Sequence, residues 1–134
     1  MAGGATEMRL VVTASDYDAA LHFYRDVLRL PEIGTFDDGG GRVAILDAGR
    51  ATLEISDPPH ARHIDQLEVG KRVAGHVRVA FQVADAQRAT DELVAAGATL
   101  IASPIETPWG SLNSRLDAPA GLQLTLFQEL VPER

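Results

Sequence analysis

The 134-residue chain has no cysteine. Disulfides, thiolate nucleophiles and thiolate metal sites are therefore excluded. It has no apolar run near the roughly 18 to 20 residues that span a bilayer, so no membrane partner is expected. It also lacks a basic excess: 12 Lys and Arg stand against 19 Asp and Glu, a net charge of −7. Nucleic acid needs a basic face and is not an expected partner. The acids are spread along the chain and serve solubility. The opening "MAGGATE" has no basic region followed by an apolar stretch, so no secretory leader is read and the cytoplasm is the expected location. Apolar residues make up 46%, enough for one domain or for two small halves sharing a core.

What is present is a pattern that occurs twice. "RLVVTASD" and "RVAFQVAD" superimpose without a gap, placing Arg9 over Arg78 and Asp16 over Asp85. Each alternates like a strand and ends where a helix cap is expected. A helical stretch follows each. In "DYDAALHFYRDVLRL" the inward stripe is read as Ala20, Phe23, Tyr24, Val27 and Leu28; in "AQRATDELVAAGA" it is Ala89, Leu93 and Val94, with Gly97 as the stop. About three strands then complete each half, with "DDGGG", "DAGR", "PWG" and "APAG" as turns. "DDGGG" is not a phosphate loop, because no Lys-Ser/Thr follows. The modules are set at 8–57 and 76–129, joined by a polar linker over 58–75, with tails at 1–7 and 130–134.

Strand alternation divides the side chains between two faces. Leu10, Val12, Leu53, Ile55, Val77, Val79, Phe81, Leu124 and Leu126 form the apolar one, expected under the helices. The other carries Arg9, Glu54, His76, Arg78 and Thr125 among small or polar neighbours. A solvent face would be richer in lysine and glutamate, so a curved sheet enclosing a polar-dotted pocket is expected.

The paired modules, with "ALHFYRDVLRL" after the first strand and "DAPAGLQLTLF" at the end, resemble the vicinal oxygen chelate superfamily. That group includes glyoxalase I, extradiol dioxygenases and bleomycin-resistance proteins. The resemblance implies an α+β fold: two tandem βαβββ modules form a curved, partly open eight-stranded sheet around a cavity, helices outside. It also implies four ligand positions in metal-binding members, carried here by Arg9, Glu54, Arg78 and Thr125. Only Glu54 matches the usual ligand type. His76 lies on the face of Arg78, about 6.5 to 7 Å further along the strand. "LRL" at 28–30 departs from the family's "LGL", putting Arg29 where glycine would accept a left-handed cap.

These residues yield three expectations. The first is a metal-free small-molecule-binding protein, with no cofactor and a homodimeric state implied by resemblance. Its ligand would meet Arg9, Glu54, His76, Arg78, Trp109, Arg115 and Thr125, Trp109 stacking on a flat group. If Glu54 bridges the two arginines, their spare donors suit a carboxylate, phosphate or enolate. The alternative is a glyoxalase-type lyase, isomerase or dioxygenase holding Zn, Ni, Mn or Fe through Glu54 and His76, joined by His60 or His63. The third is a metal-free enzyme with Glu54 as catalytic base. His60 and His63 themselves are read in a solvated loop, and His22 as exposed.

Overall fold

The computed structural model describes residues 4–37 and 39–131. Asp38 of the "DDGGG" turn and the outer ends of both tails lie outside them. The first module comprises β1 (Glu7–Thr13), α1 (Tyr17–Leu21), β2 (Glu32–Asp37), β3 (Arg42–Asp47) and β4 (Ala51–Ser56). The second comprises β5 (Val77–Gln82), α3 (Ala86–Ala95), β6 (Thr99–Glu106), β7 (Ser111–Ala118) and β8 (Leu122–Glu129). Between them runs α2 (Pro58–Glu68). The eight strands form one open sheet in the order β2-β3-β4-β1-β5-β8-β7-β6. β1 and β5 pair antiparallel at the centre, while β1–β4 and β5–β8 are parallel.

The repeat holds in structure. Asp16 caps α1 by accepting from the Ala19 amide at 3.0 Å, and Asp85 caps α3 by accepting from the Arg88 amide at 3.0 Å. Arg9 and Arg78 each stand seven residues before these caps. Glu54 pairs with Val11 and Thr125 with Ala80, each two residues beyond its module's arginine. The register therefore makes Arg9 equivalent to Arg78, and Glu54 to Thr125.

The stripe on the first helix differs from the expected one. Tyr17 and Leu21 are buried, with Ala20 and Tyr24 beside them, whereas Phe23, Val27 and Leu28 are all more than half exposed. From His22 to Val27 the helix widens to π geometry, with the Leu28 amide bonded to the Phe23 carbonyl at 2.8 Å. A wider turn changes the angular phase of the stripe, and a constant 3.6-residue period cannot anticipate that. Arg29 then adopts φ 67°, the left-handed conformation expected of the missing glycine. On α3 the buried residues are Ala86 and Thr90; Ala89 and Leu93 are half-buried and Val94 is exposed. The Thr90 and Ser114 hydroxyls share a hydrogen bond of 2.7 Å, so this helix packs partly through a polar contact.

The segment read as a polar linker contains α2. Asp57 is its N-cap, accepting from the His60 amide at 2.9 Å, and Pro58 and Pro59 occupy the first turn. Proline suits that position because it has no N–H to satisfy and a pre-set φ. The prolines that looked like a linker's start are a helix start. Gly41, φ 119°, lies so close to this turn that a Cβ would collide with the His60 backbone. Helices α1 and α3 lie on the outer face as expected. α2 lies on the opposite, inner face.

Candidate functional site

On the inner face, the cross-strand rows are Glu54–Val11–Arg78 and Thr52–Arg9–Ala80–Thr125–Arg115. The four expected ligand positions and Arg115 thus share one surface. Two of the four are joined directly: Arg78 Nη1 donates to Thr125 Oγ1 at 2.7 Å. Arg78 is half-buried, and desolvation holds its guanidinium below the usual arginine range, with the nearby Glu68 charge opposing.

Arg9 does not repeat this reach. Its Nε donates to Glu7 Oε2 at 2.6 Å, its guanidinium lies 4.3 Å from the Phe127 ring centre, and Glu129 is 3.9 Å away. The expected Arg–Glu–Arg bridge is therefore not formed. Glu54 makes no hydrogen bond or ion pair among the described residues. Burial pushes its carboxyl above the usual range, and the charges of Arg9 and Arg78 pull against that shift. The three groups feel one another without touching.

Arg115 is the most enclosed of the set, with no solvent exposure. Its Nη1 donates to Asp65 Oδ1 at 2.8 Å and to Gln123 Oε1 at 2.8 Å. Its Nη2 and Nε donate to Glu68 Oε1 at 2.7 and 3.1 Å. Asn113 Nδ2 donates to Glu68 Oε2 at 2.8 Å, and Ser111 Oγ to Asn113 Oδ1 at 2.6 Å. Asp65 and Glu68 come from α2 and were not anticipated. The sequence held a signal: Ala61, Asp65 and Glu68 fall on one helical face, and all three are buried. Burial alone would raise the Asp65 carboxyl. The Ala74 amide, Arg115, the Val73 amide and Arg72 outweigh it and hold the group below its usual range.

The remaining expected residues lie apart. His76 is exposed, just before β5, although its carbonyl accepts from the Thr13 amide at 2.9 Å. Trp109 sits in the β6–β7 turn with 47% of its surface exposed. His60 and His63 lie on α2, not in a loop, and are half-buried. Between α2 and the sheet remains a cavity of about 10 Å³, lined by Val11, Thr13, Ser56, His60, Ile64 and Arg78 among others. That is room for about one water.

Sequence comparison decides the family. Residues 8–126 match the sequence profile of the Glyoxalase/Bleomycin resistance protein/Dioxygenase superfamily. The chain belongs to that superfamily. No curated protein matches it. Among solved structures, a hypothetical protein from Bacillus halodurans C-125 superposes with a TM-score of 0.71 at 17% identity, covering 94% of this chain and 95% of that one. A variant of Streptomyces coelicolor methylmalonyl-CoA epimerase, in complex with 2-nitronate-propionyl-CoA, gives 0.68 at 22% identity, covering 96% and 100%. The Mycobacterium tuberculosis methylmalonyl-CoA epimerase gives 0.65 at 18% identity, covering 98% and 90%. At these identities the likeness establishes the fold.

Metal binding is common in this superfamily, but the donor set here is not of that kind. A divalent cation needs lone pairs from imidazole, carboxylate or thiolate. Guanidinium offers none, and two of the four positions carry it. The third, Thr125, already accepts a hydrogen bond from Arg78. No group of three or more His, Asp and Glu among the described residues could hold a metal. The residues at these positions do not fit a divalent ion.

Proposed function

We propose that this superfamily member binds a small molecule through an arginine-centred anion site where metal-binding members place their ligands. The observation that carries this reading is the Arg78–Thr125 bond of 2.7 Å. It fixes a half-buried guanidinium that has five N–H donors and spends one on a side chain. Desolvation already disfavours its charge. An incoming carboxylate or phosphate oxygen would compensate that charge and accept the spare donors, an arrangement that guanidinium geometry favours. Glu54, unbonded among the described residues and across Val11 in the same row, supplies an acceptor for an N–H or O–H of the same ligand.

The reading makes no use of bound metal and assigns the protein to the cytoplasm as a homodimer. Phe23, Val27 and Leu28 on the first helix, with Ile33 and Phe36 on edge strand β2, are each more than half exposed and offer an apolar surface for a second copy. Titration calorimetry with acetate, lactate, malonate and phosphate tests the site. Saturable one-to-one binding of at least one anion, lost in Arg78→Ala, is the expected result. Equal binding by that variant, or no binding by either protein, would rule the site out.

A further inference from the structure

The gap between α2 and the sheet beside Arg78 holds about 10 Å³, so a ligand larger than water does not fit in that gap as it stands. How α2 is seated therefore decides what can enter. Of its apolar residues only Ala61 is fully buried; Ile64 and Leu67 are half-buried. Its firm contacts with β7 are polar, Asp65 Oδ1 and both Glu68 oxygens against Arg115 and Asn113, while its cap Asp57 accepts from the Arg42 amide of β3 at 3.0 Å. Asp65 divides its two oxygens. Oδ1 faces the sheet, while Oδ2 accepts from the Val73 and Ala74 amides and from Arg72 Nη1, each at 2.9 Å. The helix and the strap that follows it are thereby tied into one unit. Besides the two acids, the Val73 carbonyl accepts from Gln123 Nε2 at 3.1 Å.

Seen from the sheet, Arg115 and Asn113 hold a pair of carboxylates supplied one helical turn apart. Arg78 lies close by, with Glu68 the strongest charge acting on it. We infer that Asp65 and Glu68 of α2 act as a built-in dicarboxylate, and that a free short-chain dicarboxylate competes with them for Arg115 and Asn113, displacing α2 from the inner face. This rests on the anion-site reading and narrows it to a dianion whose two charges match the two guanidiniums of Arg115 and Arg78. In such an exchange one pair of carboxylates substitutes for another at Arg115, and the return of Asp65 and Glu68 to water offsets the desolvation of the incoming dianion.

Malonate, with acetate and sodium chloride at matched ionic strength as controls, tests the competition in the full chain. Amide hydrogen exchange of the wild type should show α2 exchanging faster when malonate is added, while β3 and β4 stay unchanged. Glu68→Gln removes one competing charge, and its malonate affinity should rise about tenfold, the worth of a charge-assisted hydrogen bond. An affinity equal to the wild type's would overturn the inference, as would α2 exchange that malonate leaves unchanged. The hydrogen-exchange arm needs no variant and stands even if Glu68→Gln folds poorly. If malonate binds in an Arg78-dependent way but α2 does not loosen, the competition fails and the anion site survives. If Glu68→Gln gains affinity that Arg78→Ala does not diminish, the competition holds and the Arg78 site fails.

Discussion

The two modules repeat one backbone but stabilise it by different means. In the first, the helix side gathers Tyr17, Leu21, Ala44, Leu46 and Ile55 into a buried apolar cluster, and the inner side leaves Glu54 without a bonded partner among the described residues. In the second, the helix side includes a Thr90–Ser114 hydroxyl pair, and the inner side buries Arg115 with Asp65, Glu68, Asn113 and Gln123. One half thus relies on an apolar core, and the other adds an ionic seat for α2. A duplicated fold tolerates this because its strand register depends on backbone pairing and the outer apolar face, leaving the inner face free to diverge.

The contrast can be broken most strongly at Arg115. Arg115→Met leaves Glu68 buried without a cation and Asp65 with Arg72 alone, and should cost about 3–5 kcal/mol in urea denaturation. The equivalent change at Arg9, whose side chain is 28% exposed and paired at the surface, should cost below about 1 kcal/mol. In the first core, Leu46→Ala should cost about 2–5 kcal/mol, while Phe23→Ala, on the exposed side of the same module, should stay within about 0.5 kcal/mol. The helix ends sharpen the comparison at smaller scale. Both need a left-handed residue, Arg29 at φ 67° and Gly97 at φ 115°. Arg29→Gly should stabilise by about 1 kcal/mol and Gly97→Arg destabilise by a similar amount, read from the shift in denaturation midpoint.

The two inner-face carboxylates also separate by pH. Glu54 is raised above its ordinary 4.5 by burial, so its contribution to stability is fully present below that value and is lost as pH rises through the folded-state pKa. Asp65 is held below its ordinary 3.8, its hydrogen bonds outweighing burial, so its contribution is present above that value and is lost as pH falls through the folded-state pKa. Glu54→Gln should therefore raise Tm at pH 7 and give no gain near pH 4. Asp65→Asn should lower Tm at pH 7 and cost progressively less toward pH 2. Thermal melts across that range check both signs.

Much of the fold was legible because its signals are periodic. The gapless match of "RLVVTASD" with "RVAFQVAD" located both central strands and both caps, and alternation placed Arg9, Glu54, Arg78 and Thr125 on one face. Rotamer direction was not legible: whether Arg9 turns to Glu54 or to Glu7 depends on a competing carboxylate two residues away on the same strand. The phase of the first helix was lost to a π-turn that no hydrophobic count detects. α2 was lost because its buried face is acidic, and a scale that equates burial with apolarity reads "HARHIDQLE" as solvent-facing. Its partners on β7 lie about 50 residues downstream, beyond any local pattern.

The most direct test of the account is metal content after equilibration. Protein purified without a histidine tag, dialysed against zinc, nickel, manganese and iron in turn and then desalted, should retain well under one equivalent of each, with Arg78→Ala no different. One equivalent of any of these ions, lost in Glu54→Ala or His76→Ala, would contradict the claim that guanidinium groups have replaced metal at this site.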